Sequence, residues 1–169
     1  MSSQDNVNNE ETINLVKKFI ASNQRKRRNL VNDIESSAES LYIVGEEIIN
    51  NVDREGDDWC IGWVLQVLKK YKPNFFDKDI YNNWYYTKSG INLNYDNLQL
   101  NLLKQNFEEA DRLTSAYLRK LAGKVAENRG YVFYSEVKDM PDEDLVTIDR
   151  LWNIYSQGKF GFSNQAKLL

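Results

Sequence analysis

The stretch NFEEADRLTSAYLRKLAG, residues 106–123, decides the fold class. Phe107, Ala110, Leu113, Tyr117, Leu118 and Leu121 recur at three- and four-residue spacing, so they form one apolar stripe on a helix whose other face is charged. Asn106 stands where an N-cap belongs, with Glu109 three residues on as a variant capping box, and Gly123 supplies a turn at the far end. A strand would need alternation at period two, which this stretch lacks.

Working outward, the same periodicity returns on both sides. Asn94 to Gln105 is expected to bury Tyr95, Leu98 and Leu102. Downstream, a polar loop over Lys124 to Arg129 leads to Gly130-Tyr131-Val132-Phe133-Tyr134. Pro141 then starts a helix with Leu145, Ile148, Leu151, Trp152 and Tyr155 inward, ended by Gly158. The facing stripes predict that Phe107, Leu113, Leu118, Leu145, Ile148 and Trp152 are buried together. Upstream, Thr12 can cap a helix bearing Ile13, Val16, Phe19 and Ile20, and the basic run Arg25 to Arg28 precedes Leu30, Val31 and Ile34. Ser40 to Asn50 and Trp59 to Tyr71 are amphipathic helices, the latter stopped by Pro73. The fold class is all-α. Residues 1–10 are expected to be a disordered N-terminus and 11–89 an amino-terminal helical bundle. The aromatic connector Asn82 to Asn92 makes the boundary, and 90–169 forms a second helical unit.

Composition narrows the function. A 41% hydrophobic content over 169 residues supports a real core, and a net charge of −3 with a pI near 5.1 argues against nucleic-acid binding. The absence of histidine excludes a Ser-His-Asp triad, a His-activated cysteine, an H-E-x-x-H metal helix and a proximal haem imidazole. The single Cys60 forms neither an internal disulfide nor a zinc knuckle. The longest apolar run, Trp59 to Leu68, is too short to span a bilayer. Heavy use of Asn, Lys, Ile and Tyr is compatible with an AT-rich organellar genome.

Three constellations stand out, each open to two readings. Tyr131 to Tyr134 either plugs the groove between helices as core or lines a flat apolar cleft of the kind that takes a planar macrocycle. Phe160-Gly161-Phe162 either staples a turn to the core or gates a site, with Ser163 placed to cap another helix. Asp139, Asp142, Glu143, Asp144 and Asp149 match no metal-loop spacing, and acids in a first helical turn are stabilised by the helix dipole.

Taken as a string, Phe107-Glu108-Glu109-Ala110-Asp111-Arg112-Leu113-Thr114, Leu121-Ala122-Gly123 and Val132-Phe133-Tyr134-Ser135-Glu136-Val137 resemble the core of the Gun-four (genomes uncoupled) family of porphyrin-binding magnesium chelatase regulators. The resemblance continues through Pro141, Asp144-Leu145, Ile148-Asp149, Leu151-Trp152 and Tyr155 to Ser163, closing on Gln165. Gly90 to Gln99 looks like the family's entry to that core, and the earlier helices fit the amino-terminal bundle of cyanobacterial and plastid-encoded members. The resemblance implies a non-catalytic protein that binds protoporphyrin or Mg-protoporphyrin and stimulates magnesium chelatase through its large subunit in chlorophyll biosynthesis. It implies a location in a plastid stroma or a cyanobacterial cytoplasm, with peripheral membrane association left open. By position, Tyr134 and Val137 match family residues that touch the macrocycle, and Phe133, Tyr131, Phe160 and Phe162 are further candidates. The family core runs on past the position of Leu169, so the resemblance also implies a truncated carboxyl end, a half-built cleft and loose packing from Phe160 onward. Two other classes stand beside it. One is a ligand-free helical scaffold for another protein; the other is a small enzyme working with carboxylates or tyrosines alone. A shifted porphyrin Soret band separates the first reading from both.

Overall fold

A computed structural model describes residues 3–77 and 81–168, and among these there are helices and turns but no strand. The amino-terminal helices are α1 (Ser3–Ala21), α2 (Gln24–Ser36), α3 (Ala38–Asn50) and α4 (Trp59–Tyr71), followed by a 3-10 turn over Pro73–Asp77. After the connector come α5 (Asp96–Leu103), α6 (Phe107–Leu121), α7 (Lys124–Arg129), α8 (Tyr134–Val137), α9 (Asp142–Tyr155) and α10 (Phe162–Ala166).

The short apolar run noted above becomes the centre of the molecule. Every residue from Trp59 to Leu68 is buried, because α4 is covered by α2, α3, α5 and α9; a helix apolar all round is stable only when every face has a partner. Asp58 caps its N-terminus, accepting from the Cys60 N–H at 2.9 Å and from the Arg27 guanidinium at 3.1 and 3.2 Å. Arg27 is thus the one member of the basic run drawn inward; Arg25, Lys26 and Arg28 lie exposed on α2. Gly62 lets α4 and α9 meet, since a Cβ there would lie 2.5 Å from the Ile154 carbonyl oxygen. None of the described helices is long and apolar enough to cross a membrane.

Several local expectations change. The segment expected to be disordered over 1–10 is helical from Ser3, and Thr12 lies inside α1, its hydroxyl donating to the Asn8 carbonyl at 2.9 Å. Val16 and Phe19 dock the helix into the core, and once nucleated a helix extends upstream at little cost. Asn106 makes no side-chain cap; its amide donates to Asn101 instead, and Glu109 pairs with Arg112. Lys124–Arg129 is a helix rather than a loop, anchored by buried Ala126.

The connector is packed rather than free. Trp84 and Tyr85 are buried, and one continuous cluster of core side chains runs from Val16 to Tyr155 across the expected boundary. Two buried glutamines tie the halves together. Gln66 donates to the carbonyls of Leu102 and Tyr155 at 2.9 and 2.8 Å, satisfying helix-end acceptors. Gln99 accepts from the Tyr85 N–H, donates to the Tyr85 carbonyl and accepts from the Tyr155 hydroxyl, at 2.8 to 3.1 Å. Asp144 departs from the dipole reading of the acidic cluster: it is wholly buried and accepts from the Tyr95 hydroxyl at 2.7 Å and the Gly90 N–H at 2.8 Å.

Candidate functional site

The segment between α6 and α9 is built from tight turns. Gly123, at φ +96°, lets the chain leave α6, and Gly130, at φ +90°, ends α7 in the left-handed region that favours glycine. After a bend at Tyr131 the chain enters α8 through Phe133, extended at φ −83° and ψ 147°, and the N-terminus of α8 is closed from within. Glu136 accepts the Phe133 N–H at 2.7 Å and the Arg129 guanidinium at 2.6 Å. Both contacts hold its carboxyl below the usual carboxylate range, the Phe133 N–H most of all.

Between α6, α8 and α9 lies a cleft of about 580 Å³, lined by Leu118, Val132, Phe133, Tyr134, Val137, Met140, Leu145, Val146, Asp149 and Phe162. That volume falls within the roughly 300–1,000 Å³ of small-molecule sites. The lining is apolar apart from the phenol of Tyr134 and the carboxylate of Asp149, which accepts the Ser163 N–H at 3.0 Å. Tyr134 is 95% exposed at the rim, with Phe133 and Val137 also exposed, as is Val146 on the neighbouring face of α9. A cluster of large exposed apolar groups around a concavity marks a binding surface.

Four of the six residues singled out from sequence meet here: Tyr134, Val137, Phe133 and Phe162. Their exposure decides against the reading in which the aromatic run plugs the interhelical groove. Tyr131 is beside the cleft rather than in its lining, edge-on to Phe133 at 5.3 Å between ring centroids. Phe160 packs against Phe107 and Trp152 and receives a Ser156 hydroxyl oxygen on its N–H at 2.8 Å, so it staples the turn. With Phe107, Trp152 and others it lines a smaller cavity of about 240 Å³, and Phe162 belongs to both cavities. Ser163 does not cap α10; it sits in the first turn, after Gly161 at φ +126°.

Six lining residues escaped the sequence reading as site residues. Leu118 and Leu145 had been assigned to buried stripes, but they are only partly buried, as are Phe107, Leu113 and Trp152; of the six residues expected to be buried together, Ile148 alone is fully covered. Val132 was read only as part of the 131–134 run and Asp149 only as part of the acidic cluster, while Met140 carried no distinguishing signal. Val146 did: an apolar side chain on the polar side of its helix is the visible mark of a second face.

The arrangement offers flat apolar contact and little else. Cys60 is buried against the Phe19 carbonyl, and burial pushes its thiol well above the ordinary value. Among the described residues no group of three His, Cys, Asp or Glu side chains is placed to hold a metal ion.

Residues 88–169 match the family described as GUN4-like. The chain is 47% identical over 74 residues to the chloroplastic tetrapyrrole-binding protein of Arabidopsis thaliana, covering 44% of this chain and 28% of that protein. It is 43% identical over 81 residues to the ycf53 protein of Porphyra purpurea, covering 48% and 34%. With the Ycf53-like protein of Synechocystis it shares 33% identity over 130 residues, covering 75% and 56%. That last alignment is too long to fit within 88–169, so the likeness extends into the amino-terminal helices. The chain spans about a third of the length of the first two relatives and just over half of the third. The sources of these relatives fit a plastid or a cyanobacterial cytoplasm. Residues 88–169, which contain every side chain lining the cleft, are a GUN4-like domain.

Proposed function

We propose that the chain binds a tetrapyrrole, protoporphyrin or its magnesium complex, in the cleft between α6, α8 and α9. It does so as a non-catalytic regulator that stimulates magnesium chelatase, through its large subunit, in chlorophyll biosynthesis. The observation that carries this reading is Tyr134, an almost fully exposed aromatic at the rim of an apolar cleft of about 580 Å³. A planar macrocycle laid against Tyr134, Phe133 and Val137 would remove their faces from water. One ring face of about 100 Å² contributes on the order of 2 kcal/mol at roughly 25 cal/mol per Å². The name of the Arabidopsis relative supports the ligand class. With no histidine in the chain, coordination of a porphyrin's magnesium falls to water or another oxygen, which suits a hard cation.

The test is an absorbance and fluorescence titration with deuteroporphyrin and its magnesium complex, followed by a chelatase assay with and without the chain. A red-shifted Soret band that saturates, and that needs at least about tenfold more porphyrin in Tyr134→Asp, is the expected result. An unshifted band with porphyrin in excess would leave the cleft as a surface for another protein. Binding without stimulation would reduce the role to carriage alone.

A further inference from the structure

We propose that Arg129 and Glu136 form a clasp that fixes the aromatic wall of the cleft before any ligand arrives, so that both are positioning residues for it; this rests on the tetrapyrrole reading above. The segment from Tyr131 to Val137 has little packing to hold it in place. Tyr131, Phe133, Tyr134 and Val137 are all exposed, and α8 is a single turn with no buried residue. Side chains so placed would sample many orientations, and ordering them on binding would cost roughly 0.5–1.5 kcal/mol each.

The clasp supplies the missing constraint. The Arg129 guanidinium, on the last turn of α7, donates from Nη2 to Glu136 at 2.6 Å, and from Nε and Nη2 to the Tyr131 carbonyl at 3.2 and 2.9 Å. The same guanidinium lies 3.9 Å from the centroid of Phe133 and 4.7 Å from that of Tyr131. Glu136 Oε2 accepts the Phe133 N–H as well, at 2.7 Å. One cation and one carboxylate therefore hold the backbone on both sides of Val132, the ring of Phe133 and the first turn of α8. The arginine and carboxylate side chains are 19% and 24% exposed, so the pair is more shielded from water than an ordinary surface ion pair. Only a planar guanidinium can stack on the ring while donating in its own plane; lysine cannot.

Neither Arg129 nor Glu136 lines the cleft. Their effect on ligand affinity must pass through Phe133 and Tyr134, which gives a test that a purely structural role would not pass. Dissociation constants for deuteroporphyrin are measured for the full chain, Arg129→Met, Arg129→Lys, Phe133→Leu and the Arg129→Met/Phe133→Leu double variant. Thermal midpoints are recorded alongside. Arg129→Met and Arg129→Lys are each expected to weaken binding about tenfold, which is 1.4 kcal/mol, with melting nearly unchanged. The double variant is expected to lose less than the sum of the two single losses, because without the Phe133 ring the arginine has less of the wall to position. Wild-type affinity in Arg129→Met, full rescue by Arg129→Lys, or additive losses in the double variant would each overturn the proposal. Amide hydrogen exchange of Phe133 in the ligand-free chain provides the second measurement. Glu136→Ala should speed it by at least about tenfold, and unchanged protection would overturn the clasp. If the wild-type chain binds no porphyrin, the tetrapyrrole reading fails and the exchange measurement alone judges the clasp.

Discussion

The residues Trp59 to Leu68 and Tyr131 to Val137 are both rich in large apolar side chains, yet the two segments have opposite fates. The first is buried on every face by the helices around it, and its backbone approaches α9 closely enough that only glycine fits at position 62. The second leaves Tyr131, Phe133, Tyr134 and Val137 exposed and is held by hydrogen bonds and one ion pair. Composition does not separate them; partners do. A helix of thirteen residues offers enough surface for neighbours to cover, whereas a four-residue helix between two turns presents its side chains to whatever comes to it.

The contrast is broken most directly at Gly62. Gly62→Leu should cost more than the roughly 1–3 kcal/mol of ordinary overpacking, because the obstacle is the Ile154 backbone rather than a movable side chain. Thermal unfolding followed by circular dichroism should show a collapsed or absent transition, and a wild-type midpoint would mean that α4 and α9 are not in close contact.

Gln99→Leu comes next. It strands the Tyr85 N–H and carbonyl in the core, where an unpaired group costs about 1–3 kcal/mol. Denaturant unfolding is expected to show a loss of about 2–6 kcal/mol of stability, with the porphyrin affinity of the folded chain unchanged. An equal loss of affinity would show that the cleft depends on the connector.

Tyr134→Asp sharpens the other side. A residue 95% exposed should alter stability by no more than about 0.5 kcal/mol, while a charge against the macrocycle face should weaken binding at least about tenfold. Falling stability with intact binding would return Tyr134 to a structural role.

The smallest effect is the acid sensitivity of Glu136. Its folded value lies below the ordinary 4.5, first through the Phe133 N–H and then through Arg129. Its contribution is therefore complete above about pH 4.5 and is lost as pH falls through the lowered folded value. Thermal midpoints measured from neutral to acid pH should fall further in the wild type than in Glu136→Gln. Parallel curves would remove the carboxylate from the account.

The helical class, the inward stripe of α9 and the aromatic run at 131–134 were legible in the sequence because periodicity and turn residues are local properties. So were four of the residues that line the cleft. Asp144, Gln66 and Gln99 were not, since a buried polar group is recognised only by the partners that satisfy it, and those partners lie 36 or more residues away for Gln66, 49 or more for Asp144, and 14 and 56 for Gln99. Leu118 and Leu145 were seen as apolar but not as partly open, because the pattern of one helix cannot say where the next one stops covering it.

By itself the sequence determined which faces of each helix are apolar, where most helices begin and end, and which chemistry is closed to a chain without histidine. Tertiary structure alone decided which apolar surface has no partner. It turned Phe160 toward Phe107 and Trp152 and left Phe162 on the cleft, two residues of one turn with different destinations. The physical reason is that burial is a relation between elements distant in the chain, and its outcome depends on which of them the packing brings together.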